Sequence, residues 1–328
     1  IFHLINNNYI MKNSYSNIFS TNKITLEKTI KYLNNKKVVG LPTETVYGLG
    51  GNAYSKNAIK KIYQIKGRPK FNPLIIHYYN LKDASNDVIL NKNFIKLYKK
   101  LCPGPITFIL KKNKNSKIHP SALAKLKTIA VRFPKHKFVR SLLKRINFPL
   151  AMPSANKSQS VSPVTASDVF DEFQKKISMI IDGGVSKVGI ESTVIDLTSS
   201  PKILRPGIVN KNIIEKILKV KVKKNNNKTN INSPGMMKKH YSPGIPILIN
   251  QKKYDGKSAF IFLGKKFQGR KNFFSLSNKS SLDEAASNLY KIFRLIKKKG
   301  YKKIQIGKIP NLRSGIAIND RIKRASKS

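Results

Sequence analysis

The sequence predicts an α/β protein made of two domains. Its 328 residues exceed what one hydrophobic core usually organises, and 40% of them are hydrophobic, which is enough for ordinary cores. Short apolar runs typical of strands alternate with segments of helical spacing along most of the chain. A Lys- and Asn-rich tract at 221–232 is too polar to be buried, and we expect it to belong to a linker.

The larger domain is expected to span residues 23–209, after a polar tail at 1–22 that should be loose. Its first helix is indicated by Leu26, Ile30 and Leu33, and Val38-Val39 begins a strand. Further helices are expected at 58–66, 93–101, 135–145, 165–173 and 213–218. Further strands are expected at 73–77, 106–110, 128–132, 149–152, 179–181 and 192–197. The intervals are too irregular for a repeated βαβ unit.

The smaller domain is expected to span residues 245–328 and to follow a linker at 210–244. Strands at 246–249, 258–262 and 303–307, with helices at 282–299 and 315–326, predict a small α/β sheet of Rossmann-like type. Within the linker, 233–243 carries Met, His and Tyr residues that a structureless spacer does not need.

The charge favours polyanionic ligands. The chain has 65 Lys and Arg against 15 Asp and Glu, a net charge of +50, which would attract RNA or nucleotide phosphates. The alternative is that Lys, Asn and Ile are abundant in every segment because of an AT-rich genome. Lysine spread along the whole chain is weaker evidence for a nucleic-acid-binding surface than lysine concentrated on one face.

Other compositional features predict a soluble, cytoplasmic protein. No stretch approaches the roughly 18 apolar residues of a membrane span. The Asn-rich first segment lacks the apolar run and cleavage site of a signal peptide. The single Cys102 excludes an internal disulfide and a cysteine-rich metal site, and a small buried residue is the expected role for it.

Four polar clusters lie at predicted strand ends or turns, where sites are usually found. The first is Thr43-Glu44-Thr45, followed by Gly48 and Gly50-Gly51, which we expect to let the backbone turn tightly. The second places Lys66, Arg68 and Lys70 around Gly67 and Pro69, with Asn72 and His77 downstream. Three cations within five residues resemble a phosphate clamp more than a helix surface.

The other two clusters add hydroxyl and guanidinium groups. The third comprises Thr128, Arg132, Ser154-Ala155-Asn156 and Ser162, and the fourth comprises 182–184, 189–193 and 204–207, with Ser192 and Arg205 able to bind anionic oxygens. Each cluster alone could be a capped turn. The sequence contains no Walker A loop, GxGxxG, HExxH or Ser-His-Asp spacing. An ATP user of this kind would therefore need scattered Lys, Arg, Ser and Asn side chains.

These residues resemble the YrdC-like domain over roughly 23–209, and the linker and ending resemble the long, two-domain threonylcarbamoyl-AMP synthases. The motifs that carry the resemblance occur in family order: Leu41-Pro42-Thr43-Glu44-Thr45-Val46-Tyr47-Gly48-Leu49, Lys66-x-Arg68, Pro103-Gly-Pro-x-Thr107, Val131-Arg132-x-Pro134, Pro153-Ser-Ala-Asn156, Ser192-Thr-Val, Ser233-x-Gly-Met-x-x-x-His240-Tyr241-x-Pro243 and Gly315-Ile-Ala-Ile-Asn-Asp-Arg321.

The resemblance implies an α/β fold around a twisted mixed sheet with a concave basic cavity. It implies a threonine site at Thr45, His77, Arg132, Met152 and Ser192, where Met152 stands at a place usually held by a smaller residue. It also implies an ATP site at Arg68, Asn72, Thr128, Ser154, Asn156, Ser162 and Arg205. For His77, a packed histidine at a strand end is the alternative.

The implied activity is a nucleotidyltransferase that forms L-threonylcarbamoyladenylate and pyrophosphate from L-threonine, bicarbonate or CO2, and ATP. Lys66, Arg68 and Arg132 are the expected catalytic residues, assisted by Arg205, with Mg²⁺ accompanying ATP and no metal site of the protein's own. The intermediates hydrolyse readily, so we expect His240 and Tyr241 to form a lid.

The product would pass to a separate tRNA-modifying transferase that makes N6-threonylcarbamoyladenosine, and weak tRNA binding is compatible with the charge. Two alternatives remain open at this point. One is a YrdC-like RNA-binding module without synthase activity. The other is a carbamoyl transferase of the hydrogenase-maturation kind, although a single cysteine cannot supply the zinc fingers of those proteins.

Overall fold

Two sheets organise the chain in a computed structural model that describes residues 17–224, 240–267 and 269–327. The strands are β1 (Ile18–Ser20), β2 (Val39–Leu41), β3 (Gly48–Asn52), β4 (Ile75–His77), β5 (Ile106–Lys111), β6 (Thr128–Arg132), β7 (Leu150–Ala151), β8 (Ile180–Asp182), β9 (Thr193–Asp196), β10 (Lys202–Arg205), β11 (Lys223–Lys224), β12 (Ile247–Leu248), β13 (Ala259–Phe262), β14 (Phe273–Ser275) and β15 (Ile304–Ile306). The first eleven form one mixed sheet in the order β1-β8-β2-β3-β7-β4-β6-β5-β9-β10-β11, and the last four form a parallel sheet in the order β12-β15-β13-β14.

Most of the described helices begin after a residue whose side chain caps the first turn. Ser55, Asn91 and Thr165 each accept a hydrogen bond from a backbone N–H in the first helical turn that would otherwise have no partner. The helices are α1 (Lys23–Asn34), α2 (Lys56–Lys66), α3 (Leu81–Ser85), α4 (Lys92–Leu101), α5 (Lys137–Arg145), α6 (Ala166–Phe173), α7 (Lys211–Leu218), α8 (Leu282–Lys298) and α9 (Ser314–Ala325). None of them is both long and apolar enough to cross a lipid bilayer.

The larger sheet has two different faces. Ile76, Val131 and Phe108 alternate towards the main hydrophobic core under the helices. The opposite face carries a row of neighbouring polar residues on adjacent strands, His77, Arg132 and Thr107. Beside this row is a small separate apolar cluster: Ile75, Ile109, Ala130, Val194 and Leu204. This second face is the floor of the site described below.

Two expectations about this domain are wrong. The tail expected to be loose through residue 22 includes β1, where Ile18 pairs with Ile180 in a parallel ladder. Gly50 and Gly51 do not form a turn, because β3 pairs with β2 in antiparallel register. These glycines serve close packing: a Cβ on Gly50 would lie 2.7 Å from Leu41 Cδ1.

The polar tract expected from residue 221 is partly structured. Val222 is buried, and β11 pairs with β10, so Lys202 lies opposite Lys223 at the edge of the large sheet. The remainder of the tract, and residues 233–239 of the expected linker, lie outside the described residues. His240 begins the next described segment.

The smaller domain shares a core with the larger one. Helices α8 and α9 pack on one face of the four-stranded sheet. The resulting apolar cluster also contains Val46, Val161, Val164 and Ile190 of the larger domain, together with Tyr241. At the same boundary a Cβ on Gly189, whose φ is +75°, would lie 2.5 Å from Ser287 Cα. The two domains therefore meet in direct, close contact.

Candidate active site

A cavity lies over the polar face of the large sheet, beside the residues that lead into the smaller domain. The space without protein atoms is about 540 Å³, a volume that includes open solvent outside the cavity. Its walls are formed by Thr43, Val46, Tyr47, Gly48, Arg68, Ile75, His77, Arg132, Met152, Pro153, Ser154, Glu191, Arg205, His240 and Tyr241. Eight residues that the sequence analysis placed in one site thus line one cavity.

One end of the cavity is built around Arg132. Its Nη2 donates to Glu44 Oε1 at 2.8 Å and to Thr45 Oγ1 at 2.7 Å, and Thr45 in turn lies 2.9 Å from Thr43 Oγ1. Burial alone would raise the pKa of Glu44, but the Arg132 guanidinium outweighs it and holds the pKa below its ordinary value. Nε of Arg132 is buried and has no partner among the described residues. An acceptor on a ligand could therefore bind there.

His77 and Met152 complete this end. Burial and the neighbouring Arg132 hold the pKa of His77 well below its usual value, so the imidazole is neutral near pH 7. One ring nitrogen, Nδ1, lies 3.2 Å from the carbonyl oxygen of Ile75. Met152 packs against Gly48 so closely that a Cβ on the glycine would lie 2.4 Å from Met152 Cγ. The large Met152 side chain therefore depends on the glycine opposite it.

The other end carries two more arginines. Arg68 is held by Asn72, whose Oδ1 accepts from Nη2 at 2.6 Å, and by the carbonyl oxygen of Pro73 at 2.7 Å. Burial, with Arg205 nearby, lowers the pKa of Arg68 to about 10, which leaves it charged at neutral pH. Arg205 donates from Nε to the Ser192 carbonyl oxygen at 3.1 Å and from Nη2 to Ser192 Oγ at 3.2 Å.

Ser192, which was expected in the threonine site, is therefore hydrogen-bonded to Arg205, which was expected in the ATP site. Its hydroxyl also lies 2.7 Å from Thr107 Oγ1, and Thr107 is the direct strand neighbour of Arg132. Hydrogen bonds thus link Arg205 to Thr107 through Ser192, and Thr107 lies next to Arg132 in the sheet. Ser192 stands where the expected threonine and ATP sites would meet.

Lys66 lies behind the cavity wall rather than in it. Its Nζ donates to the carbonyl oxygens of Ser154 and Asn156, at 2.5 Å in each case. Burial, followed by repulsion from Arg68, lowers the pKa of Lys66 well below its usual value. In this arrangement Lys66 fixes the loop that presents Ser154 to the cavity. Asn156 Oδ1 is buried there without a partner among the described residues.

Ser162 and Thr128 stand apart from the cavity in different ways. Ser162 Oγ donates to Glu191 Oε1 at 2.5 Å, so it supports a wall residue. Thr128 is at the far end of β6, on the same face as Arg132 but four residues away, or about 13 Å at strand rise. A ligand that reached both residues would have to extend along the apolar floor.

His240 and Tyr241 line the cavity on the side of the smaller domain. Their rings are 4.1 Å apart, and both residues are buried. Burial lowers the pKa of His240 to about 3. His240 Nδ1 and the Tyr241 hydroxyl have no hydrogen-bond partner in the described part of the chain. Buried polar atoms without a partner, in residues that line a cavity, make these two residues candidates for contact with a ligand.

Several wall residues were not among the predicted site residues. Glu44 and Thr43 belong to a recognised motif, but the sequence does not reveal that they hold Arg132. Glu191 was also in a recognised motif without an assigned role. Two residues of the smaller domain bind Glu191: Arg321 ends a motif of the resemblance but had no assigned role, and Tyr290 carries no local signal of a site.

The chain matches two sequence families in succession. Residues 31–207 match the Sua5/YciO/YrdC family, which carries the description telomere recombination, and residues 209–327 match the threonylcarbamoyl-AMP synthase C-terminal domain. A relative from Pyrococcus abyssi (strain GE5 / Orsay), named threonylcarbamoyl-AMP synthase, is 34% identical over 321 residues, covering 90% of this chain and 92% of its own. A relative of the same name from Bacillus subtilis (strain 168) is 32% identical over 327 residues, covering 94% of each.

A solved structure shares the whole architecture. The crystal structure of P. abyssi Sua5 complexed with L-threonine superposes with a TM-score of 0.87 at 31% identity, covering 94% of this chain and 97% of that one. Fold and cavity together define a two-domain protein with a YrdC-like α/β domain. The chain belongs to the Sua5 family of threonylcarbamoyl-AMP synthases.

Proposed function

We propose that this chain forms L-threonylcarbamoyladenylate and pyrophosphate from L-threonine, bicarbonate or CO2, and ATP. The observation that carries the proposal is one cavity with cations at both ends, Arg132 at one and Arg68 with Arg205 at the other. Such a cavity can hold two anions side by side. The names of the relatives and the threonine in the P. abyssi structure support this choice of substrates and do not favour an RNA-binding module without activity.

The threonine carboxylate would bind at the Arg132 end. One edge of that guanidinium is engaged by Glu44 and Thr45, which fixes its orientation and leaves Nε for the ligand. Neutral His77 can exchange a hydrogen bond with the amino acid without adding charge. Met152 and Gly48 would bound the threonine side chain.

ATP would extend from Arg205 along the sheet. Its phosphates would meet Arg68, Arg205 and Ser154, which are the polar groups at that end of the cavity. The adenosine would lie over the apolar cluster that contains Ala130 and Leu204, with Thr128 at its far edge. Asn72 and Lys66 would act from behind, by holding Arg68 and the Ser154 loop.

The chemistry needs no protein nucleophile. The threonine amine either adds to CO2 and releases a proton, or condenses with bicarbonate and releases water, and both routes give a carbamate. A carbamate oxygen then attacks the α-phosphorus of ATP, the bond to the β-phosphate oxygen breaks, and pyrophosphate leaves. The protein's contribution is to align the two anions and to stabilise negative charge on the leaving group, which suits Arg68 and Arg205.

Magnesium would arrive on the ATP phosphates as part of the substrate. Both cavity carboxylates are already engaged, Glu44 by Arg132 and Glu191 by Arg321. Among the described residues, no three His, Cys, Asp or Glu side chains come together in a way that could hold a metal ion. The position of Mg²⁺ would therefore be set by phosphate oxygens and water.

His240 and Tyr241 would shield the adenylate from water. This proposal is supported by their place in the cavity wall, and their unsatisfied polar atoms would turn towards bound substrate. The product would be consumed by a transferase that modifies adenosine in tRNA, and a cytoplasmic location would suit that role.

The test is pyrophosphate release by the purified chain. With ATP and bicarbonate present, release should require L-threonine, and release that does not depend on threonine would reject the proposal. Arg132→Gln should lower kcat/KM for threonine by roughly 10- to 150-fold, the worth of a hydrogen bond to a charged group. Arg145→Gln is the matched control, because Arg145 pairs with Glu27 on the surface and should leave the rate unchanged.

A further inference from the structure

A carboxylate in the cavity wall is at odds with a site for anions. Glu191 lines the cavity and is 6% exposed. Burial would raise its pKa, but Arg321 and then Arg205 outweigh this and lower the pKa to about 2, so the group is ionised. An unpaired Glu191 carboxylate would repel phosphate groups and compete with them for Arg205.

The smaller domain supplies the residues that neutralise it. Arg321 in α9 donates from Nε to Glu191 Oε2 at 2.9 Å and from Nη2 to the Glu191 carbonyl oxygen at 3.3 Å. Tyr290 in α8 donates its hydroxyl to Oε2 at 3.0 Å. Ser162 completes the set on Oε1. Both carboxylate oxygens therefore have donors, and two of the three donor side chains come from outside the larger domain.

Arg321 reaches two other parts of the same wall. Its Nη1 donates at 2.7 Å to the carbonyl oxygen of Pro206, which directly follows Arg205. Its guanidinium carbon lies 5.3 Å from the centroid of the Tyr241 ring, within the range of a cation–π contact, and Tyr241 stacks on Tyr290 with centroids 5.8 Å apart. Arg321 itself is fully buried.

We infer that Arg321 is a positioning residue for nucleotide binding: it keeps Glu191 paired, leaves Arg205 for the phosphates and holds Tyr241 over the cavity. The inference rests on the proposed function for the identity of the nucleotide. Its distinctive consequence is directional. Loss of Arg321 should weaken ATP binding more than threonine binding, because Arg132, Thr45 and His77 make no contact with it.

The consequence for Arg205 explains why the effect should fall on ATP. Without Arg321, the remaining cation nearest to the Glu191 carboxylate in this wall is Arg205, which already interacts with it electrostatically. Arg205 would turn towards Glu191 to compensate the buried charge. The phosphate end of the cavity would then lose one cation and keep an anion.

The experiment compares Arg321→Met with the double variant Glu191→Gln/Arg321→Met. The single variant should raise KM for ATP by at least about tenfold and KM for threonine by less than about threefold. The double variant should bring KM for ATP back to within about threefold of the unchanged chain, because the unpaired charge has been removed. A role in domain packing alone would raise both constants and would not be rescued by a change at Glu191.

Two further measurements decide the outcome if Arg321→Met does not fold. Glu191→Gln alone should bind ATP as tightly as the unchanged chain or more tightly, measured by calorimetry with ATP and Mg²⁺ without threonine. Arg321→Lys should retain part of the support that Arg321 gives to ATP binding, since it keeps the charge and loses the second donor. Weaker ATP binding by Glu191→Gln, or equal changes in both constants without rescue, would overturn the inference. Failure of the unchanged chain to release pyrophosphate in response to threonine would instead overturn the proposed function.

Discussion

Acidification should weaken the docking of His240 and Tyr241 in the cavity wall by a predictable amount. With His240 docked, burial holds its pKa at about 3, whereas a solvated imidazole has a pKa of about 6.5. The docked form thus resists protonation, so docking has its full strength above about pH 6.5 and loses it as the pH falls towards 3. At pH 5.5 the undocked form is favoured by an additional factor of about 11, or roughly 1.4 kcal/mol.

Hydrogen exchange at one amide can measure this. The Ser242 N–H donates to the Gln159 carbonyl oxygen at 2.9 Å, so its protection reports docking of the segment that follows His240. Protection factors, corrected for the intrinsic rate at each pH, should fall about tenfold between pH 7.5 and 5.5. The Leu49 amide, bonded to the Pro153 carbonyl oxygen inside the large sheet, serves as the reference for global stability.

His240→Gln provides the matched control, since it keeps a polar side chain and removes the titration. Charged groups that face His240 include Glu191, Arg68 and Arg205, and the pKa of Glu191, about 2, lies well below the range used. The variant should therefore show almost no pH dependence at Ser242. A change of less than about twofold in the unchanged chain, or the same change in the variant, would refute the reasoning.

Three other changes test separate parts of the structure. Tyr241→Phe removes a buried hydroxyl that has no partner among the described residues, so the melting temperature of the ligand-free protein should rise by about 2 °C. KM for ATP should rise about threefold or more, because a contact with the ligand is lost. No change in either quantity would contradict this prediction. Gly48→Ala should raise KM for threonine about tenfold, because the new Cβ would lie 2.4 Å from Met152 Cγ. The double variant Gly48→Ala/Met152→Ala should bring KM back down, because it removes the clash. A further rise of KM in the double variant would contradict this explanation. Asp87→Asn should lower the free energy of unfolding, measured in urea, by about 3 kcal/mol without changing kcat/KM. Asp87 is buried, and its carboxylate accepts hydrogen bonds from Tyr54, Tyr78, Ser116 and the Lys117 amide. Asp83→Asn, at an exposed residue, is the control, and equal stability of the two variants would contradict a stabilising role for these hydrogen bonds.

Much of the fold follows from local pattern. Strand β6 occupies the predicted 128–132, and α8 begins at the predicted residue 282 because Ser281 caps it. The failures share a cause. Three of the five residues of β3 are glycine, and β1 has only three residues, so neither carries a periodic signal. Both strands exist because a partner strand lies beside them. Pairing between distant segments cannot be read from either segment alone.

The cavity shows the same division. Arg68, Arg132 and Arg205 could be chosen from sequence because cations in turns and at strand ends suggest anion sites. Their orientation could not, since Arg132 is aimed by Glu44 and Arg205 by the Ser192 carbonyl oxygen. Lys66 shows the limit most clearly: its charge suggests a phosphate ligand, whereas its Nζ binds two carbonyl oxygens of a loop about 90 residues away.

The Glu191–Arg321 pair also bears on how the molecule is made. The two residues are 130 positions apart, so a ribosome adding about 5 to 20 residues per second reaches Arg321 roughly 7 to 26 s after Glu191. Until then the Glu191 carboxyl of the nascent larger domain has no cation from the smaller domain beside it. If synthesis stopped in that interval, the wall of the proposed nucleotide site would contain the Glu191 carboxyl without the Arg321 cation that pairs with it. Capacity to bind ATP would thus be acquired late in synthesis, after the smaller domain has docked.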